Sequence, residues 1–212
     1  MSSKAVVKDK WKLKKWYEVV APESFGGIVL GTTPSDDPDK LIGRVIETTL
    51  YDLTGDITQV HVKLYFQIIR VEGDKAYTRL KGHELARDYM KSLIRRKSSK
   101  IQAIVDVQTK DNYVIRVTAV ALTSYRCQTS QKRAIRKIML EHLRNRASEL
   151  TFDEFVQEIM SYKISTEIAE KARKIYPIRR VEIYKTKLLM IPGEEGLQPA
   201  TVVSPVQYKK AR

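Results

Sequence analysis

Three carboxylates lie close enough along the chain to pose the question of magnesium chemistry: Glu47, Asp52 and Asp56. A nuclease-type site needs two or more carboxylates converging on the ion. Their spacings of five and four place Glu47 and Asp52 on opposite faces if the segment is a strand. An RNA-processing enzyme built on magnesium-bound carboxylates therefore stands as the alternative reading rather than the leading one. The three histidines, His61, His83 and His142, fall in different expected elements and have no Cys or His at metal-ligand spacing. His61 sits on the polar face of its strand and reads as a surface histidine. His83 follows Gly82 at an expected strand-to-helix turn, where it would anchor the helix start, and His142 reads as packing on a helix face. Phosphate-cradling glycine loops, nucleophile elbows and dinucleotide fingerprints are missing from the sequence. No catalytic residue, metal or cofactor is expected.

Basic residues interleaved with aromatics give a denser signal. Trp11 and Trp16 stand among Lys8, Lys10, Lys12, Lys14 and Lys15, a pattern that sets stacking rings beside phosphate-pairing charges. Both tryptophans could instead anchor that segment in the core. A second block carries Arg87, Lys91, Arg95, Arg96, Lys97 and Lys100. A third begins at Arg126 and continues through Lys132, Arg133, Arg136, Lys137, Arg144 and Arg146, with Glu141 as its one acid. A solvated helix ordinarily alternates charge for i,i+4 support, so this one calls for an external anion. Arg179 and Arg180, then Lys209 and Lys210, extend the candidate RNA-binding set.

Elements that must position these groups can be read from periodicity. A strand is expected from Trp16 to Val20, followed by breakers at 21–27 and an acidic loop at 33–39. Residues 44–53 read as a strand. Val60, Val62, Leu64, Phe66 and Ile68 keep period two, a turn at 72–75 returns the chain, and 101–107 and 113–124 alternate again. Short connections make this set antiparallel. Helices are expected at 84–97, at 130–147 with Ser130 as N-cap, at 152–162 behind a Thr151–Glu154 capping box, and from Ser165 to Tyr176. A last strand covers 179–190. The resulting fold class is α+β: an antiparallel, barrel-like β core flanked by basic helices, with extended N- and C-terminal arms. The expected organisation is a basic arm over 1–15, one globular α+β domain over 16–192 and an extended arm over 193–212.

The chain has 212 residues, a net charge of +14, 42% hydrophobic and 30% charged residues. That apolar share supports a core, which excludes a wholly disordered polycation. One cysteine, Cys127, forms no internal bridge and points to a reducing compartment. No stretch approaches the roughly 20 apolar residues of a membrane span, and MSSKAVVKDKWKLKKW has no apolar signal core, so neither membrane nor export is expected. The charge is concentrated: segments 1–16, 84–100, 126–147, 171–187 and 209–212 together carry +24, leaving −10 elsewhere. Dispersed basic blocks without a helix-turn-helix, zinc-finger or zipper pattern suit a folded RNA better than a straight duplex. A basic module for acidic proteins remains a further alternative.

The stretches KLKKWYEVVAPESFGG, GRVIETTLYDLTGD, RLKGHELARDYMKSLIRRKSSKI, VIRVTAVALTSYRCQTSQKRAIRKIM and IYPIRRVEIYKTKLLMIP together resemble one family, over about residues 8–192. It is the archaeal and eukaryotic small-ribosomal-subunit protein family S-three-Ae, or S-one-e, and the compact length points to an archaeal-type member. The resemblance implies a non-enzymatic structural component of the cytoplasmic small subunit, on its platform near the messenger exit. It implies contacts with small-subunit ribosomal RNA and neighbouring ribosomal proteins, with mRNA near the exit as a further partner, and a role in subunit assembly and translation. Nothing in the chain repeats, so the bacterial protein of similar short name is no guide.

Overall fold

A computed structural model describes residues 11–12, 14–193 and 196–200. In chain order its elements are β1 (Lys15–Val20), β2 (Val29–Ser35), β3 (Val45–Thr49), α1 (Leu50–Thr54), β4 (Val62–Glu72), β5 (Lys75–Leu85) and α2 (Arg87–Leu93). There follow β6 (Lys100–Gln108), β7 (Val114–Thr123), α3 (Thr129–Glu149), α4 (Phe152–Met160), α5 (Lys163–Arg173), β8 (Ile178–Gly193) and β9 (Gly196–Pro199). The class is α+β with a mostly antiparallel sheet. Two compact units divide the described residues, one holding the chain up to Ile46 with Phe66–Leu80, the other Glu47–Tyr65 with the chain from Lys81 on.

Alternation builds the first unit. Tyr17 and Val19 turn inward from β1 while Lys15, Trp16 and Glu18 stay exposed. β1 pairs antiparallel with β2, and Glu18–Val20 runs parallel to Lys75–Tyr77 of β5. Tyr17, Val19, Leu41, Ile68 and Ala76 form the core, with Leu30, Ile46 and Val71 packed against it. Phe25 meets Phe66 edge-on at 5.3 Å. The acidic loop is shorter than expected, because Thr33–Ser35 belong to β2. Pro34 is tolerated there since β2 has one strand neighbour and no ladder bond is lost on its outer side.

In the second unit β6, β7 and β8 run antiparallel, and residues 82–84 of β5 join β8. Ile101, Ala103, Val105 and Val107 are buried while the residues between them are exposed. β7 is paired on both edges and is buried at every residue from Val117 to Thr123. α3 packs on β6 and α5 on β8, with α4 against both helices. α3 buries Ile135, Met139, His142, Leu143 and Ala147 at helical spacing. β6 ends the ladder on one side, so the sheet stays open and does not close into a barrel.

Several local expectations are corrected by capping or by distant partners. The strand expected over 44–53 stops at Thr49, which caps α1. Thr49 Oγ1 accepts from the Asp52 N–H while Asp52 accepts from the Thr49 N–H. The helix expected over 84–97 shrinks to α2, because β5 continues through Leu85 to pair with β8. Gln128, exchanging bonds with Gln131, caps α3 in place of Ser130. α5 starts at Lys163 behind a left-handed Tyr162, and Ser165 is buried inside it. The Thr151–Glu154 box caps α4 as expected. Beyond Gly193, β9 folds back onto β8, with Pro199 opposite Met190.

Candidate nucleic-acid interface

Three basic blocks meet at one end of the second unit, and hydrogen bonds far apart in sequence bring them there. The Ser99 N–H donates to Thr123 Oγ1 at 2.9 Å and the Thr123 N–H returns to the Ser99 carbonyl at 3.0 Å. Cys127 N–H reaches Ser99 Oγ at 3.3 Å, so the turn carrying Arg95, Arg96 and Lys97 lies against the loop carrying Tyr125 and Arg126. That loop is tied in turn to the third block. The Ser124 N–H donates to the Pro177 carbonyl, and the Tyr176 hydroxyl to the Arg126 carbonyl, both at 3.0 Å. The register of the sheet adds Lys100 opposite Leu122 and Leu122 opposite Arg180, which puts two cationic positions about 10 Å apart across two strand spacings.

Most of these cations have no carboxylate to neutralise them. Arg95, Arg96, Lys97, Lys100, Arg126 and Arg133 are exposed, Lys132 and Arg179 half-buried, and none has a salt bridge among the described residues. Lys132 closes the first turn of α3, which holds no acid, and Arg133 follows it. The helix N-terminus is the positive end of the macrodipole, so cations there repel it and an external anion relieves both. Along α3, about 100° per residue aligns Arg133, Lys137 and Arg144 on the side away from the buried stripe. Lys137 has only a loose contact with Glu141, 3.8 Å at the surface. Arg87 and Lys91 on α2 are exposed and likewise without a salt bridge among the described residues.

Other basic residues are spoken for within the fold. Arg136 Nε donates to the Gln102 carbonyl on the edge strand β6 at 2.9 Å. Arg146 binds Glu149, Glu158 and Glu167 at 3.2, 3.0 and 3.4 Å, so this member of the α3 block is a structural hub rather than a phosphate contact. The charge-alternation argument missed those partners because Glu158 and Glu167 come from α4 and α5. Arg180 pairs with buried Glu182 at 2.5 Å and lies over the Tyr89 ring. Basic residues outside the candidate set, Arg173, Lys174 and Lys187, are exposed, and so is Tyr125 beside Arg126. The aromatic–basic pairing that singled out the tryptophans is present in Tyr125-Arg126 too.

The first unit carries its own aromatic–cation group. Trp11 and Trp16 are each 60% exposed, so neither anchors the core. Lys14 Nζ lies 4.2 Å from the Trp11 ring centre, and Lys12 and Lys15 are exposed beside them. Lys8, Lys10, Lys209 and Lys210 lie outside the described residues.

The acids do not assemble. Glu47 pairs with Lys63 at 2.6 Å, and Asp52 is consumed by Thr48 and Thr49. Asp56 caps the turn at Thr58, whose hydroxyl and N–H hold its carboxyl below the usual range. Among the described residues no cluster of three His, Cys, Asp or Glu could hold a metal. His61 is half-buried rather than free at the surface: it stacks on Tyr89 at 3.7 Å, and its Nε2 lies 3.1 Å from the Tyr162 hydroxyl. His83 is fully inside β5 rather than at a helix start. His142 packs in α3 as expected, with Lys171 Nζ 3.0 Å from Nδ1. Among the described residues no helix is long and apolar enough to cross a membrane.

An open α+β sheet with clustered, unneutralised cations and no assembled acid or metal site among its described residues defines a basic binding protein. Residues 2–192 match the model of the Ribosomal S3Ae family, and the chain belongs to that family. It is similar to the small ribosomal subunit protein eS1 of Desulfurococcus amylolyticus, 76% identical over 212 residues, covering 99% of this chain and 100% of that one. The protein of the same name from Staphylothermus marinus is 70% identical over 204 residues, 96% of each chain. That of Aeropyrum pernix is 59% identical over 207 residues, 96% of this chain and 97% of its own. The chain is a ribosomal protein and not an enzyme, which removes the magnesium-carboxylate reading.

Proposed function

We propose that the chain is a structural constituent of the cytoplasmic small ribosomal subunit that binds ribosomal RNA and supports assembly. The observation that carries this reading is the meeting of the 95–100, 124–133 and 173–180 segments at one end of the second unit, with their cations other than Arg180 free of salt bridges among the described residues. Phosphates supply the missing anions, and the exposed Trp11, Trp16 and Tyr125 supply stacking surfaces for unpaired bases. Lys8, Lys10, Lys209 and Lys210 in the arms 1–15 and 193–212 add charge to the same task. On this reading the protein sits on the subunit platform near the mRNA exit, beside neighbouring ribosomal proteins and within reach of mRNA.

Binding of the full chain to small-subunit ribosomal RNA over a salt series tests this. The affinity should fall with a log–log slope of about −0.7 to −0.9 per phosphate neutralised. Footprinting of the assembled subunit with and without the protein should then locate protected RNA. Salt-independent binding, or an unchanged footprint, contradicts the reading.

A further inference from the structure

Beside the basic end, between α5 and β8, lies a cavity of about 190 Å³ lined by Tyr162, Ser165, Arg173, Arg179, Arg180 and Glu182. It is smaller than the roughly 300 Å³ at which drug-sized pockets begin, which is the scale of a single nucleobase. Its walls hold polar atoms without partners. Ser165 is 4% exposed, and its hydroxyl makes no hydrogen bond. Glu182 is 2% exposed. Its Oε1 accepts from Arg180 Nε at 2.5 Å and from the Tyr89 hydroxyl at 3.3 Å, while Oε2 has no partner among the described residues. A buried hydroxyl left open, as at Ser165, costs stability unless a ligand fills it.

The chemistry of the wall selects among ligands. A bare phosphate would meet the Glu182 carboxylate as a like charge. A group that donates N–H bonds and carries an anion a few ångströms away satisfies both features. The donor end meets Oε2, and the anionic end meets Arg173 and Arg179, which form no salt bridge among the described residues. Tyr162 gives the cavity an aromatic wall, and its hydroxyl is already engaged with His61 Nε2. Burial pushes that phenol up to about 12, so it stays neutral.

We propose that this cavity receives one unstacked RNA nucleotide whose base bears an exocyclic amino group, the amino group donating to Glu182 Oε2 and the phosphate meeting Arg173 and Arg179. Adenine, guanine and cytosine carry that amino group and uracil does not. The proposal rests on the ribosomal-RNA reading and deepens it, because a splayed base read on its edge is how proteins select single-stranded RNA.

The test titrates the 15N-labelled full chain with AMP, GMP, CMP, UMP and inorganic phosphate, following the amides of Ser165, Thr166, Arg180 and Val181. At least one amino-bearing nucleotide should bind about tenfold tighter than UMP, since the only donor on the uracil edge, N3–H, is flanked by two carbonyl oxygens that would face the carboxylate as like partial charges. Inorganic phosphate should bind more weakly still. Glu182→Gln should erase the preference. Because losing the Arg180 pair could unfold that variant, Ser165→Ala serves as the second, with affinity expected to fall several-fold and a native spectrum retained. Equal binding of UMP, or of phosphate alone, overturns the proposal, as does the absence of chemical-shift changes at the cavity. Ribosomal RNA binding by the wild-type chain is read separately: its presence beside a failed titration sinks only the cavity, and its absence sinks the wider reading.

Discussion

Ser99 and Thr123, 24 residues apart, exchange backbone and side-chain hydrogen bonds that hold the 94–100 turn against the 124–128 loop. The Thr123 hydroxyl accepts from the Ser99 N–H and donates to the Tyr125 carbonyl at 2.6 Å, while both Ser99 and Thr123 are buried. Thr123→Val keeps the shape and removes the hydroxyl, leaving the Ser99 N–H without a partner. The expected cost is about 1–3 kcal/mol. Amide exchange should quicken at residues 95–100 and 124–127, and affinity for ribosomal RNA should drop although no cation is removed. Unchanged exchange in both segments would show that the junction does not depend on this bond.

That junction also marks the limit of what the sequence makes legible. Period-two alternation located β6 because Ile101, Ala103, Val105 and Val107 are buried by neighbours that need not be known. The Thr151–Glu154 box located the start of α4 because both partners are local. Basic blocks were legible as composition, whereas whether Trp11 and Trp16 face solvent or the core was left open by the sequence and is decided by the structure. What escaped was set by long-range partners. β5 extends through His83 because Thr186 and Ile183 hold it from 100 or more residues away. Arg146 looked like a free cation because its carboxylates lie on other helices. The acid at the third helical position of α1 is Asp52 rather than Glu, and the β-branched Thr48-Thr49 before it reads as strand. No local pattern records that the 95–100, 124–133 and 173–180 segments converge.

Arg133 and Arg146 share α3 and should separate cleanly in their effects. Arg133 is exposed and without a salt bridge among the described residues, so Arg133→Ala should weaken RNA binding and lower the salt slope by about 1 with little change in stability. Arg146 is 22% exposed at its side chain and gathers three carboxylates. Arg146→Ala should cost about 2 kcal/mol, less than a fully buried pair because water reaches the site. Its RNA affinity, measured well below the unfolding temperature, should match wild type. Reversed outcomes for the two variants would contradict the assignment.

His83 makes stability depend on acidity. Its Nε2 donates to the Ile183 carbonyl at 3.1 Å, which fixes the tautomer and leaves Nδ1 to accept from the Thr186 hydroxyl at 2.7 Å. Burial drives the imidazole from 6.5 down to about 4. Between those values the unfolded chain takes up a proton that the folded chain refuses. The stabilisation is therefore complete above the unfolded value and is lost as pH falls toward 4. About 2 kcal/mol should disappear between roughly pH 7 and pH 5, because a difference of one proton bound is worth about 1.4 kcal/mol for every tenfold rise in acidity. Denaturant unfolding at both pH values, compared with His83→Gln, isolates this share. A proton NMR titration of the native His83 ring with a midpoint near 6.5 would exclude it independently of how the variant folds.

Trp11 and Trp16 are the two tryptophans of the chain, and both are exposed, so selectively excited tryptophan emission reports on their surroundings alone. Trp16 stands on β1 opposite Pro34, on the face turned away from Tyr17 and Val19, so its ring is available without any rearrangement of the core. Lys14 over Trp11 supplies a cation at the ring, and Lys12 and Lys15 flank the pair. Stacking of a base on an exposed ring is worth about 1–3 kcal/mol. Single-stranded RNA should therefore quench the emission with saturation, and Trp16→Ala should weaken binding of that RNA roughly 5- to 150-fold, the same energy expressed as a ratio. Stability should fall far less than for a core tryptophan, since Trp16 is 60% exposed. Retention of full RNA affinity by a Trp11→Ala, Trp16→Ala double variant would assign the rings to a contact other than RNA, with the lysines alone left to meet phosphate.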